Sequence, residues 1–257
     1  MITLTVRART RLTPHFARVT LGGPQLRDLA LTGGDQAVRL LFPREGQDRL
    51  RMPTRTGEAS WMAELLLMPK SERPWVRNLT IRGARPADEE IDIEFALHEG
   101  SPMTSWVNRV RPGDLAGVYD LGMGYLPSAD ARWHLLVGDE SAVPAVMSIL
   151  DGAPPDLTAR VFLEVPTADD IRASELPVPD GVHVHWVSRD DPRARPGVQL
   201  LDTVRRAQLP PGPFYTWAAG ESRLPTSLRR HLVAERGAVK ADISFAGYWR
   251  HGWSSPG

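Results

Sequence analysis

The stretch that decides the fold is Trp133 to Leu150, which reads WHLLVGDESAVPAVMSIL. It opens with an apolar run, residues 133–138, suited to a strand that is buried on both faces. A short polar turn follows, and residues 142–150 then have a helical pattern. Strand, turn and helix in this order are typical of a parallel sheet covered by helices.

The same pattern recurs through the second half of the chain. Further strand-like runs and helical stretches alternate at residues 160–165, 182–187, 200–207, 214–219 and 226–235. Pro127, Ser128 and Asp130 mark a linker just before the first of these strands. We therefore predict a C-terminal α/β domain with a parallel sheet over residues 129–257.

The first half has a different period. Short segments of alternating apolar and polar residues lie between turns at residues 2–9, 16–21, 38–42, 75–82, 91–97 and 115–119. Such segments predict a small antiparallel β barrel over residues 1–128. Residues 43–73 are rich in breakers and form a long connection, with a short helix or strand expected near Trp61 to Met68, and connections of this length are commonly functional loops or lids.

Composition narrows the class of function. Basic and acidic residues balance at 31 each, so no strong attraction to nucleic acid is expected. The chain has no cysteine, which excludes disulfides and thiolate metal sites. The N-terminus lacks the apolar core of a signal peptide, and no apolar run is long enough to cross a membrane, so we expect a cytoplasmic protein of undetermined oligomeric state.

Two segments of the first half carry polar groups in suggestive places. Arg77 and Thr80 lie on a predicted strand, where an arginine beside a hydroxyl can hold a phosphate, although a solvated edge strand has the same pattern. Thr104 lies at the start of a predicted helix, where it could bind an anion or simply cap the helix. His98 could be an acid–base group or a structural histidine.

Two segments of the second half deserve the same comparison. Asp139 and Glu140 follow the first parallel strand, at the sheet edge where ligands of α/β proteins bind, but a capped turn would look alike. His183 and His185 share a strand face without a third ligand nearby, so no metal site is predicted. The residues alone therefore indicate a two-domain protein that binds a small molecule.

Taken in order, five segments resemble the siderophore-interacting protein family, which comprises flavin-dependent ferric-siderophore reductases related to ferredoxin reductases. These segments are RNLTIR (77–82), IEFALHEGSPMTSW (93–106), WHLLVGDESAVPAVMSIL (133–150), WAAGES (217–222) and GYWRHG (247–252). The resemblance covers almost the whole chain. It implies a ferredoxin-reductase-like fold, with an FAD-domain-like barrel followed by an NAD(P)-domain-like sheet.

The resemblance also implies a cofactor site. FAD would be bound by the barrel, with Arg77 and Thr80 near its phosphate and ring and the loop of Thr104 at its diphosphate. Asp139 and Glu140 would lie where NAD(P)H or another donor delivers electrons. The substrate would be a ferric siderophore.

Three positions depart from the family pattern on the flavin side. Leu79 stands where the family has a tyrosine against the flavin ring, and Met103 stands where a small residue is usual. Met123 stands where another family segment has arginine. These changes suggest a degenerate FAD site and hence no bound cofactor, leaving an apolar pocket between the domains. Its expected walls are Leu79, Met103, Met123, Tyr125, Tyr248 and Trp249.

Three functions follow from these observations. The favoured hypothesis is a flavin-independent cyclase of natural-product biosynthesis, which holds an apolar intermediate for ring closure, with His98 and Glu140 as candidate catalytic residues. The alternative is an FAD-dependent ferric-siderophore reductase. A third hypothesis is a non-catalytic protein that binds a small molecule.

Overall fold

The computed structural model describes residues 1–176, 178–191 and 193–253. The chain divides into two compact units. The first unit comprises Met1–Thr32 and Gln36–Gly122. The second comprises Gly33–Asp35 and the described residues between 123 and 253.

The first unit is a closed barrel of six antiparallel strands. The strands are β1 (Ile2–Thr13), β2 (Phe16–Gly22), β3 (Ala37–Phe42), β4 (Trp75–Arg85), β5 (Glu90–Ala96) and β6 (Leu115–Gly122). Around the barrel they run in the order β1-β2-β5-β4-β3-β6. The antiparallel barrel predicted from the alternating pattern is confirmed.

Alternating side chains of these strands fill the barrel core, which includes Val19, Leu40 and Ile93, all fully buried. A helix, Pro102–Arg109, packs against this core through Trp106. The Trp106 ring lies 5.0 Å from the ring of Phe42. This aromatic packing holds the helix against the barrel, and the start of the helix is part of the site described below.

The long connection before β4 contains the first helix of the chain. This helix, α1 (Glu58–Leu67), buries Trp61 and Leu65, which form a small cluster with Met68. The sequence left helix and strand open here, and the structure shows a helix. The helix Pro102–Arg109 is accordingly α2.

The second unit is a five-stranded parallel sheet with helices. Its strands are β7 (Trp133–Gly138), β8 (Ala159–Val165), β9 (Val182–Ser188), β10 (Phe214–Glu221) and β11 (Ile243–Trp249), and its helices are α3 (Val143–Asp151), α4 (Val198–Arg206) and α5 (Arg223–Glu235). The strand order is β11-β10-β7-β8-β9. The predicted parallel sheet is confirmed, although the sequence pattern did not identify β11.

The order of the strands defines a particular point on the sheet. After β7 the chain moves to one side, to β8 and β9, and later returns to the other side of β7 as β10. The turns after β7 and β10 therefore flank the topological switch point, where open α/β sheets bind ligands. None of the helices in the described parts of the chain is long and apolar enough to cross a membrane.

Candidate functional site

A cavity of about 310 Å³ lies at the start of α2 in the barrel unit. It is lined by Arg44, Glu45, Trp75, Gly100, Pro102, Ser105 and Arg109. We call it the α2 cavity. Gly100 has φ 71° and turns the chain into the helix. No side chain caps the helix at Ser101, so backbone amides at a helix start, which favour anions, border the cavity.

Positive side chains surround the indole of Trp75. The guanidinium carbon of Arg44 lies 3.8 Å from the centre of this ring, and that of Arg77 lies 4.8 Å from it. Burial lowers the pKa of Arg77, and the positive charge of Arg44 lowers it further. Burial and the charge of Arg73 likewise lower the pKa of Arg44. The cluster therefore repels itself, and a bound anion would relieve that repulsion.

The described hydrogen-bond partners of the Arg44 and Arg109 side chains are backbone carbonyls. Arg44 Nε donates to the carbonyl of Arg73 at 2.7 Å, and Arg109 Nη2 donates to that of Pro43 at 2.8 Å. Among the described residues no carboxylate forms an ion pair with Arg44 or Arg109. Positive charge, helix amides and a half-buried aromatic ring match the diphosphate and base of a dinucleotide. The residues of this cavity thus fit the phosphate part of FAD.

Leu79 and Met103 are placed differently from the expected walls of an empty cleft. Both are half-buried and pack against the core of the barrel. Met103 packs there from the first turn of α2 and so supports the helix. This packing gives no support to the suggestion that Met103 makes the FAD site degenerate. Leu79 does leave a flavin ring without an aromatic neighbour at its position.

The other barrel residues of the predicted site have these positions. The Thr104 hydroxyl accepts a hydrogen bond from the backbone N–H of His98 at 3.0 Å and so fastens the loop that enters α2. Thr80 lies on β4 and is buried. His98 lies in the loop after β5 and is half-buried. Their roles in binding or catalysis stay predictions.

In the second unit, Asp139 stands directly after β7 and is fully buried. Its Oδ1 accepts hydrogen bonds from the N–H of Ser141 at 2.9 Å and from its hydroxyl at 2.6 Å. Its Oδ2 accepts from the N–H of Glu221 at 2.6 Å and from Trp249 Nε1 at 3.0 Å. Burial, aided by the charge of Glu140, raises the pKa of Asp139 to about 7 despite these donors.

Glu140 is held in an equally closed arrangement. Arg189 donates to both of its oxygens, at 2.7 and 3.0 Å, and also to Glu164 at 2.8 Å. Glu164 in turn accepts the N–H groups of Gly197 and Leu200 at the start of α4. These carboxylates are buried and bonded, so neither Asp139 nor Glu140 presents a free carboxylate to a ligand in this structure.

Glycine is required beside Asp139. Gly220 has φ 138°, and a Cβ there would lie 2.6 Å from the Asp139 carboxyl carbon. Gly138 is equally crowded, since its Cβ would lie 2.5 Å from that of Ala142. Both glycines let the strand ends approach the turns closely, which explains the small residues in these segments.

The expected pocket walls of the second unit have these contacts. Tyr125 OH is hydrogen-bonded to Nδ1 of His134, the second residue of β7. Trp249 instead bonds Asp139, beyond the other end of the same strand. Tyr248, 41% exposed, contacts Trp217, and Met123 is also exposed. Tyr125 and Trp249 therefore contact opposite ends of β7, and their role as walls of one apolar pocket stays a prediction.

The sequence did not single out several residues of these sites. Arg44, Trp75 and Arg109 come from three separate segments, and only Trp75 could have been found, because it shares a strand face with Arg77. Glu164 lies on β8 and Arg189 directly follows β9. Arg189 contacts Glu140 and Glu164 through strand pairing that local patterns do not reveal.

The comparisons with known proteins agree with this architecture. The family model of the siderophore-interacting FAD-binding domain matches residues 5–122, and that of the siderophore-interacting protein matches residues 131–252. Among solved structures, a siderophore utilization protein from T. fusca has a TM-score of 0.83 at 30% identity, over 98% of this chain and 94% of that one. The ferredoxin reductase in carbazole 1,9a-dioxygenase, at 15% identity and a TM-score of 0.69, covers 96% of this chain and 69% of that one and shows the ferredoxin-reductase-like fold.

Relatives by sequence include an uncharacterized protein of Mycobacterium tuberculosis, 34% identical over 96% of this chain and 89% of its own length. The ferric vibriobactin reductase of Vibrio cholerae is 28% identical over 93% of this chain and 85% of its own length. The NADPH-dependent ferric-chelate reductase of Escherichia coli is 27% identical over 96% of this chain and 91% of its own length. On these matches, which span both units, the chain belongs to the siderophore-interacting protein family.

Proposed function

We propose that the chain is an FAD-dependent ferric-siderophore reductase that receives electrons from NAD(P)H or another donor. The observation that carries the proposal is the group of positive charges and helix amides around the α2 cavity. A flavin-independent cyclase of an apolar intermediate has no use for such a group. The hypothesis of a cyclase in natural-product biosynthesis also finds no support among the relatives.

The α2 cavity supplies the binding part of this proposal. Arg44, Arg77 and Arg109 would neutralise the FAD diphosphate, and the amides at the start of α2 would donate hydrogen bonds to it. Trp75 offers a flat ring for stacking. Thr80 and Thr104 remain candidate contacts, as the family resemblance implies. The chemistry that FAD supplies when bound is the passage of two electrons from a reduced nicotinamide, one at a time, to ferric iron.

The protein's own groups have two tasks in this reaction. They hold the anionic cofactor, and they keep the turns at the switch point of the parallel sheet rigid. Asp139 and Glu140 perform the second task through their buried hydrogen bonds. We therefore assign them to the support of the donor site, in place of direct contact with the donor or a catalytic role.

Iron is the substrate in this proposal. The siderophore keeps ferric iron tightly chelated, and reduction to the ferrous state weakens oxygen-ligand complexes, so the metal can be released. The reductases among the relatives are named for ferric chelates of this kind. Which siderophore this chain accepts stays open in the proposal.

The test is a titration of the purified protein with FAD, followed by an assay of iron reduction. We expect tight 1:1 binding, seen as quenching of flavin fluorescence, and NAD(P)H-dependent formation of ferrous iron from a ferric siderophore, trapped by a ferrous chelator. Protein that ignores FAD at micromolar concentration would overturn the proposal. Binding without iron reduction by NADH, NADPH or a reduced ferredoxin would refute the reductase activity and keep only the cofactor site.

A further inference from the structure

A second cavity, of about 500 Å³, lies in the α/β unit, away from the switch point. Its lining comes from the first halves of β8 and β9 and from the last turn of α4. Asp139 and Glu221 stand at the opposite, carboxyl ends of the strands. The cavity is therefore separate from the edge assigned to the electron donor. We call it the β9 cavity.

Strand pairing brings four side chains of the β9 cavity onto one face. Arg160 pairs with His183, and Phe162 pairs with His185, in the parallel register of β8 and β9. Residues two apart on a strand point to the same side, so these four share it. The rings of Phe162 and His185 lie 5.7 Å apart. Phe162 is 7% exposed and forms an apolar floor beside the two imidazoles.

The fold explains why this face is open. The helix α4 packs Leu200 and Val204 into the core and ends at Arg206. The strand β9 is the edge of the sheet. The last turn of α4 borders the cavity with Arg206 but leaves His183 and His185 exposed.

The charge of the β9 cavity has one sign. Arg160 and Arg206 line it together with the two histidines, and its lining includes no carboxylate. Both described hydrogen bonds of Arg160 come from Nη1, to the carbonyls of Ala159 and Gly181. The side chain of Arg206 has no partner among the residues that the structure describes. The volume of the β9 cavity lies within the range of small-ligand sites, about 300–1,000 Å³.

We propose that the β9 cavity binds a small aromatic anion, a ligand with one flat ring and one phosphate or carboxylate group. The ring would rest against Phe162 and His185, where aromatic contact is favourable. The anionic group would lie between Arg160 and Arg206, whose guanidinium groups suit planar and tetrahedral anions. This inference does not rest on the proposed reductase activity, since the two sites share no residue.

The experiment follows the imidazole NMR signals of His183 and His185, assigned by His→Gln variants, during titration with phenyl phosphate. We expect saturable shifts of both signals. Benzoate replaces phenyl phosphate in a second titration and shows whether the anionic group is preferentially phosphate or carboxylate. Inorganic phosphate carries only the anion, and benzyl alcohol carries only the ring. Each should bind at least about tenfold more weakly than phenyl phosphate, since each keeps only one of the two contacts.

Variants locate the anion. Arg206→Gln should weaken phenyl phosphate binding about tenfold, because it removes a charged hydrogen bond from the cavity. The matched control is Arg205→Gln on the same turn, since Arg205 pairs with Asp202 and does not line the cavity. It should leave the affinity unchanged. Because Arg206 is exposed, its substitution is not expected to unfold the chain.

Three results would overturn the proposal. The first is that neither aromatic anion shifts the two imidazole signals. The second is that inorganic phosphate shifts them as strongly as phenyl phosphate does. In the third, Arg205→Gln weakens binding as much as Arg206→Gln. Because the readout is local to β9, occupation of the α2 cavity by the same probes does not affect it, and the outcome is independent of whether the protein reduces iron.

Discussion

The α2 cavity of the barrel unit and the switch point of the α/β unit are both rich in charge, but they are organised in opposite ways. At the switch point Glu140 and Glu164 are buried, and Arg189 bonds both of them. At the α2 cavity the described hydrogen bonds of the Arg44 and Arg109 guanidinium groups go to backbone carbonyls. At the switch point the protein's own side chains neutralise the charges. At the α2 cavity the positive charge is left for a bound anion.

This difference separates structure from binding better than the residue types do. A buried carboxylate depends on its partners, because removing its cation leaves an uncompensated charge in the interior and costs several kcal/mol. Burial and the charge of Arg44 lower the pKa of Arg77 beside the aromatic ring, and an added anion would relieve this repulsion. Sequence motifs had drawn attention to both regions equally. Only the partners of each charge distinguish them.

The largest expected effect comes from breaking the ion pairs of Arg189 at the switch point. Arg189→Met leaves Glu140 and Glu164 buried without their cation, and we expect the free energy of unfolding to fall by about 3–5 kcal/mol. Urea denaturation followed by circular dichroism measures it. The control is Arg193→Met, because Arg193 is 90% exposed in its pair with Asp191 and should change stability by about 0.5 kcal/mol or less. Equal losses in the two variants would show that the network does not stabilise the fold.

The next largest effect is expected at the α2 cavity. Arg44→Gln should weaken FAD binding about 10- to 100-fold, the range for loss of one charged hydrogen bond, with little change in stability. Fluorescence titration measures the affinity. Arg111→Gln is the matched control, since this exposed arginine follows α2 and does not line the cavity. An unchanged FAD affinity in Arg44→Gln would place the diphosphate elsewhere.

A smaller effect concerns the pH dependence of stability. Because the pKa of Asp139 is raised to about 7, the folded chain keeps a proton that the unfolded chain releases near pH 4. This group's contribution to stability is therefore lost as the pH rises from about 4 to 7, by no more than about 1.4 kcal/mol per pH unit. Asp139→Asn, which cannot titrate, should gain stability relative to the parent across this window.

Urea denaturation at several pH values measures that difference. The exposed Asp130→Asn is the control, and its difference from the parent should stay flat over the same range. A flat difference for Asp139→Asn as well would mean that the Asp139 carboxylate stays ionised in the folded protein.

The smallest effect sharpens the question of the flavin ring. Leu79→Tyr restores the aromatic residue that the family resemblance expects on β4, and we expect FAD affinity to rise about 2- to 10-fold, the range for one aromatic contact. Leu79→Met is the control for a change of shape without an aromatic ring. Weaker binding by Leu79→Tyr would show that the barrel surface around Leu79 has adapted to leucine.

Sequence reasoning performed well where the pattern is local. Strict alternation predicted the barrel strands, and the apolar run 133–138 predicted β7, because burial on one or both faces imposes a period on the chain. It did not predict β11, where six of seven residues are not buried and the apolar signal is weak. It also predicted a loss of the cofactor from three substitutions, without knowing that Leu79 and Met103 pack against the barrel core.

By itself, the sequence predicted the antiparallel barrel, the parallel sheet with its helices, and the family, because these depend on periodic burial and on short motifs in a fixed order. Only the tertiary structure decided which charges are paired. The contacts of Arg44 with Trp75 and of Arg189 with Glu140 join residues that are about 30 and 50 positions apart. Such contacts are set by strand register and helix placement, and no local pattern of residues records them.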